Sequence, residues 1–152
     1  MTDIVSKEIR SKMMSSIRGR NTSPEMAVRR YLHGVGFRYR LHDRSLPGAP
    51  DIVLSRFKVV ILIHGCFWHR HTDCRLAATP SSNQEFWQNK FSANTERDQR
   101  NVELLLRDGW RVIVIWECGI RLLGKNVSLD WLPPTIKDGI QKFIEWPSTA
   151  VL

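Results

Sequence analysis

The chain has 152 residues, 42% of them hydrophobic and 25% charged, which is the balance of one globular domain with a real core. No apolar run reaches the ~20 residues that a membrane-spanning helix needs, and residues 1–20 are too polar for a signal peptide, so a cytoplasmic protein is expected. The formal net charge is +8, and residues 1–44 supply +6 of it, with ten Lys/Arg against four Asp/Glu; a basic arm before a globular body fits a nucleic-acid partner.

In chain order, residues 6–18 read as a helix, with Ile9, Met13 and Ile17 at helical spacing. Thr22-Ser23-Pro24-Glu25 reads as a second helix start, with Ser23 as N-cap and Pro24 at the first helical position. That helix runs to about residue 35, where Gly34 and Gly36 end it. Residues 37–41 alternate apolar and basic and predict a half-exposed strand. After a loop, residues 50–54 and 57–63 predict two more strands, and the Ser55-Arg56 link predicts a hairpin. Residues 65–82 form a long irregular stretch, the kind of segment that usually carries function or metal. Residues 84–108 predict the longest helix, 110–116 a fourth strand, and 133–145 a last helix packed by Ile136, Ile140 and Phe143. The order α-α-β-β-β-α-β-α implies an α/β fold: a mixed central sheet flanked by helices, in one domain spanning residues 1–152.

The most informative stretch is residues 63–74, Ile-His-Gly-Cys-Phe-Trp-His-Arg-His-Thr-Asp-Cys, at the end of an apolar strand. Three cysteines cannot all pair in intramolecular disulfides, but with one histidine they make a closed zinc set. Cys66, His71, Cys74 and Cys118 are that set, with Asp73 an alternative for one ligand. Asp51, after Pro50 at a strand start, is a hard oxygen ligand of the kind that suits Mg²⁺. The hairpin would bring Ile63 and His64 beside it, so that the Ile63 carbonyl becomes a second oxygen ligand. His64 and His69 stay free to activate water, and Asp98 on the long helix could orient an imidazole. Phe67 and Trp68 sit where a core role is awkward; aromatics on a rigid loop can insert between base pairs and unstack them. Phe86 and Trp87 cannot both face the core of one helix.

Taken together, these residues resemble the very-short-patch-repair (Vsr) DNA mismatch endonucleases of bacteria. The resemblance covers residues 7–122. It rests on R-S-K-x-M from Arg10, T-x-x-E from Thr22, S-L-P-G-x-P-D from Ser45, H-G-C-F-W-H from His64, E-F-W from Glu85, E-R-D from Glu96 and G-W-R-V-x-x-x-W-E-C from Gly109. The resemblance implies a restriction-endonuclease-like core with a structural zinc site. It implies Mg²⁺ on Asp51 and the Ile63 carbonyl, His69 as general base supported by Asp98, and His64 and Glu25 completing the site. Zn²⁺ would sit on Cys66, His71, Cys74 and Cys118. Phe67, Trp68 and Trp87 would enter the duplex from the major groove and Met14 from the minor groove, with Lys90 and Asn94 as further DNA contacts. The reaction would be a nick 5′ to the thymine of a T:G mismatch left by deamination of 5-methylcytosine. Other mismatch-repair proteins and a repair polymerase are the further partners implied, with the enzyme itself a monomer.

This chain departs from the family pattern at Ile63, where threonine is expected, a change that a carbonyl ligand tolerates. The link from His71 to Cys74 is one residue longer, which leaves Asp73 and Cys74 as alternatives. Residues 122–152 match nothing specific. A restriction-type nuclease with broader specificity and an inert zinc DNA-binding module are the competing readings.

Overall fold

The computed structural model describes residues 21–152; the helix expected over residues 6–18, and Met14 with it, lie outside the described residues. The first described helix, α1 (Ser23–Gly34), is capped by Thr22, not Ser23. The Thr22 hydroxyl accepts from the Glu25 N–H at 3.4 Å, the ordinary N-cap bond three residues on, which puts Ser23 and Pro24 inside the first turn. Val28 and Leu32 turn inward from α1, and so does Glu25.

The strand expected over residues 37–41 shrinks to β1 (Arg40–Leu41). Phe37 is buried against the core and the Tyr39 hydroxyl donates to the Arg29 carbonyl at 2.9 Å, so these residues pack on α1 instead of joining a ladder. The expected hairpin forms: β2 (Ile52–Leu54) pairs antiparallel with β3 (Val59–His64) through a short 3₁₀ turn at Ser55–Phe57. Lys58 closes that turn at φ +56°.

The long helix is α2 (Gln84–Arg107), and it carries the chain over to β4 (Arg111–Trp116), parallel to β3. Two short helices follow, α3 (Glu117–Arg121) and α4 (Leu132–Asp138). The helix expected over residues 133–145 therefore stops early, and residues 143–146 form a fifth strand, β5 (Phe143–Trp146), parallel to β4. The stop is steric. A Cβ at Gly139 would lie 2.3 Å from the Thr135 carbonyl oxygen, so no other residue fits where α4 ends. Arg111 then donates to the carbonyls of Thr135, which also accepts the Gly139 N–H, and Ile136, at 3.0 and 2.6 Å. Ile140, expected in the core, is 90% exposed.

The sheet runs β1-β2-β3-β4-β5 and is covered on both faces. Ile52, Leu54, Val59, Ile61, Ile113 and Ile115 pack against α1 and α4. Val53, Val60, Leu62, Val112 and Val114 pack against α2, which contributes Leu105. Burial on both faces explains why β3 and β4 read as unbroken apolar runs instead of alternating. Each such side chain removed from water stabilises the fold by about 1.5–3 kcal/mol. Alternation along β3 puts His64 on the face of Val60 and Leu62, toward α2. Among the described residues no helix is long and apolar enough to cross a membrane.

Candidate active site and metal centre

Strand register builds the metal centre. β3 and β4 are parallel neighbours, and His64 pairs with Trp116. Two residues beyond each lie Cys66 and Cys118, which therefore leave the sheet at the same level. The Cys118 N–H donates to the Cys66 sulfur at 3.4 Å. The loop after Cys66 folds back to bring His71 and Cys74 to the same point, and all four donor atoms lie within 4.8 Å of one another. Cys74 completes the set, not Asp73: the thiol is buried and Asp73 is exposed. His71 Nδ1 is 3.6 Å from the Cys66 sulfur and 3.4 Å from that of Cys118. A tetrahedral zinc with ordinary Zn–S and Zn–N bonds puts sulfur and nitrogen about 3.5 Å apart, so the donor set fits such an ion. The His71 ring lies flat on Trp116, with centroids 4.2 Å apart, which fixes its orientation. Burial pushes the Cys66 and Cys118 thiols up and holds His71 down, the pattern of ligands that a cation would deprotonate and bind.

Beside this centre a cleft of about 510 Å³ is lined by His42, Asp51, Ile63, His64, His69 and Asp98. Asp51 precedes β2, and its Oδ2 accepts from the Ile63 N–H at 2.8 Å. Loss of hydration, chiefly, and the neighbouring Glu25 raise its carboxyl to about 6, against the pull of that N–H and of His42. Glu25 reaches the same place from α1. It is 1% exposed and paired with Arg29 at 2.8 Å. His69 presents Nδ1 to Asp98 Oδ2 at 2.5 Å, which leaves Nε2 as the nitrogen free for chemistry. Its ring stacks on His64, with centroids 4.0 Å apart and planes within 3°. Desolvation first, then the adjacent His69, depresses His64 to about 3, so that ring is neutral at physiological pH. Its Nδ1 is buried without a partner among the described residues.

Two carboxylate–histidine groups thus meet at one cleft: His64, His69 and Asp98 on one side, His42 and Asp51 on the other, with buried Glu25 behind them. The structure brings all five expected catalytic residues together. It also adds His42, which nothing in the local sequence marked. The antiparallel register that pairs Leu41 with Ile52 sets His42 against Asp51, and its N–H donates to the Asp51 carbonyl at 3.2 Å.

The family model for the DNA mismatch endonuclease Vsr matches residues 2–76. The Xanthomonas oryzae type II nicking enzyme V.XorIIP is 48% identical over 82% of this chain and 90% of its own length. The Neisseria meningitidis type II nicking enzyme V.NmeAIP is 46% identical over 80% of this chain and 86% of its own length. The Escherichia coli DNA mismatch endonuclease Vsr is 44% identical over 80% of this chain and 77% of its own length. The chain belongs to the Vsr family of DNA mismatch endonucleases.

In this Vsr-family chain Phe67, Trp68, Phe86, Trp87 and Phe91 form one aromatic cluster across the 65–83 loop and α2. Phe67 makes edge contacts with Trp68, Trp87 and Phe91 at 4.9, 5.6 and 5.2 Å between centroids. Arg70 lies 3.9 Å over the Phe91 ring. Phe67 and Trp68 are half-buried at the rim, but Trp87 is buried, and the exposed neighbour is Phe86 at 54%. Trp87 backs the other rings from inside. Asn94 is buried too, and its Nδ2 donates to the Trp68 carbonyl at 3.1 Å, so it anchors the loop. Lys90 is exposed, as a phosphate contact requires.

Proposed function

We propose that this chain nicks one strand of duplex DNA 5′ to the thymine of a T:G mismatch. The observation that carries the proposal is the His69–Asp98 pair set across one cleft from Asp51. The Asp98 carboxylate holds Nδ1 of His69 in its protonated tautomer, so Nε2 can take a proton from water that attacks the phosphorus. Neutral His64, stacked beneath, keeps that ring from swinging and adds no positive charge to lower its basicity.

Asp51 and the Ile63 carbonyl are the proposed Mg²⁺ ligands. In an extended strand the N–H and C=O of one residue point the same way, and the Ile63 N–H already meets Asp51. A raised carboxyl beside a second buried carboxylate is a donor pair that favours a hard divalent cation. Bound there, the ion would polarise the scissile phosphate and offset the charge that develops on it. Glu25 supports Asp51 from behind. Cys66, His71, Cys74 and Cys118 are proposed to hold a structural Zn²⁺ that ties the 65–83 loop to β4, and so places His69 and the aromatics. Phe67 and Trp68, backed by Trp87, are the proposed wedge, with Lys90 on the phosphate backbone and Phe86 beside them; Met14 is proposed for the minor groove. Unstacking costs least at a defective pair, which is the source of selectivity.

The enzyme is proposed to act as a single-domain monomer on a restriction-endonuclease-like core, in the bacterial cytoplasm. Other repair proteins and a polymerase would complete the repair. The test is a nicking assay with Mg²⁺ on a labelled T:G duplex and its C:G twin. One nick at the mismatched thymine, absent from the twin, is the expected result. Equal cutting of both would replace this reading with a broader restriction-type nuclease, and tight binding without cutting would replace it with an inert zinc module.

A further inference from the structure

His42 has no task in the reaction proposed above, yet it stands in the middle of the site. Its backbone is turned out of β1 at φ +48° and tied to the Asp51 carbonyl, so the ring starts beside the proposed metal-binding aspartate. Its Nε2 lies 3.1 and 2.9 Å from the two carboxylate oxygens of Glu25. One donor atom each from Glu25, His42 and Asp51 falls within 4.8 Å of the others. In a six-coordinate site with bonds of about 2.1 Å, adjacent ligand atoms are about 3 Å apart and opposite ones about 4.2 Å. The observed spacing is that of three ligands already gathered round one ion. Arg29 also pairs with Glu25 at 2.8 Å, from the side of Glu25.

We propose that His42 Nε2 and a Glu25 carboxylate oxygen join Asp51 as side-chain ligands, making a two-carboxylate, one-imidazole site that takes Mn²⁺ in preference to Mg²⁺. The inference rests on the reading of Asp51 as the metal-binding aspartate. The physical ground for the preference is ligand softness. Oxygen donors alone suit Mg²⁺, whereas an imidazole nitrogen favours first-row transition ions and Mg²⁺ parts reluctantly with its water. Ligation uses the Nε2 lone pair, so the ring keeps one proton on Nδ1, and any proton on Nε2 leaves to solvent as the ion enters.

The test uses the zinc-loaded full chain with Mn²⁺ as the probe. Pulsed electron paramagnetic resonance reads nitrogen bound directly to Mn²⁺, and calorimetry compares Mn²⁺ with Mg²⁺ affinity, for the native chain and His42→Gln. We expect a directly bound ¹⁴N signal in the native chain that is lost in His42→Gln. Mn²⁺ affinity should fall by at least about tenfold in the variant while Mg²⁺ affinity moves far less. A native spectrum without that signal overturns the proposal, even if the variant fails to fold. A signal that survives His42→Gln also overturns it, because the nitrogen is then His64 or His69. Mg²⁺-supported nicking of the T:G duplex by the same preparation separates the two readings. Nicking without bound nitrogen removes only the His42 ligand, and bound nitrogen without nicking removes only the repair function.

Discussion

Replacing Asp51 by asparagine tests the electrostatics of the cleft without reference to catalysis. The variant keeps an acceptor for the Ile63 N–H, which now meets Asp51 Oδ2 at 2.8 Å, but removes a carboxylate that burial disfavours. In the metal-free fold that carboxyl is raised from 3.8 to about 6, first by desolvation and then by Glu25. Between those two values the folded chain keeps a proton that the unfolded chain has released. Stability is therefore full below the lower value and is lost as pH rises through the higher one. A gap of about two units is worth ~3 kcal/mol at pH 8. The neutral amide carries no such penalty, so Asp51→Asn should be more stable than the native chain at pH 8 by about that amount. For a domain of this size the gain is roughly 6–12 °C in Tm. It should shrink toward zero at pH 4, where both side chains are neutral. The assay is thermal or urea unfolding of the zinc-loaded proteins from pH 4 to 8 without added Mg²⁺, with nicking measured alongside and expected to be abolished. A variant no more stable than the native chain at pH 8, or a gain that does not vary with pH, would refute the assignment of a strained, metal-seeking carboxylate to this site.

Four further outcomes follow from the same geometry. Cys118→Ser should lose zinc and most of the cooperative unfolding transition, because closed zinc sites contribute folding energy directly; full zinc occupancy by elemental analysis would show the ligand set to be wrong. Asp98→Asn leaves the His69 ring in place but no longer selects its tautomer, so single-turnover nicking should drop by about 10²–10⁴-fold with the circular dichroism unchanged; a drop under tenfold would remove Asp98 from the mechanism. Leu105→Ala cuts a cavity between α2 and the sheet where the side chain is 0% exposed; it should cost about 2–5 kcal/mol by urea unfolding, and a cost under 1 kcal/mol would mean that α2 does not pack as described. Deleting residues 147–152 should speed zinc transfer to a chromogenic chelator by about tenfold, since the Leu152 carbonyl accepts from the Arg75 N–H at 2.9 Å and Ala150 and Leu152 pack on the buried cluster that contains the cysteines; an unchanged rate would show that this tail does not shield the centre.

What could be read along the chain was whatever repeats locally. The apolar runs of β3 and β4 and the helical spacing of α2 appear within a residue or two of their true bounds, because both faces of the central strands and one face of α2 are buried. Residues 143–146 lack a strand signal in the sequence because β5 sits at an edge, alternately exposed and half-buried. Phe143 and Ile140 mimic a helical stripe only if Gly139 is ignored, and Gly139 is where the backbone leaves no room for a side chain. The N-cap shifted by one for a similar reason: both Thr22 and Ser23 can cap, and only the geometry of the first turn selects between them.

The site divides in the same way. Residue chemistry alone pointed to the Cys/His set as a candidate metal site, to Asp51 with histidines as a candidate catalytic group and to an aromatic group in the same loop, since few structural needs put cysteines, histidines and tryptophan in twelve residues. Tertiary structure alone decided that Cys74 and not Asp73 turns inward, that Trp87 backs the rings instead of leading them, and that His42 lies against Glu25. The reason is physical. Which donors a residue carries is a property of its side chain, but whether it is desolvated, which neighbour shares its proton and which face it presents depend on the register of strands far apart in sequence. The pairing of β1 with β2 made His42 a neighbour of Asp51, and that of β3 with β4 made Cys66 a neighbour of Cys118.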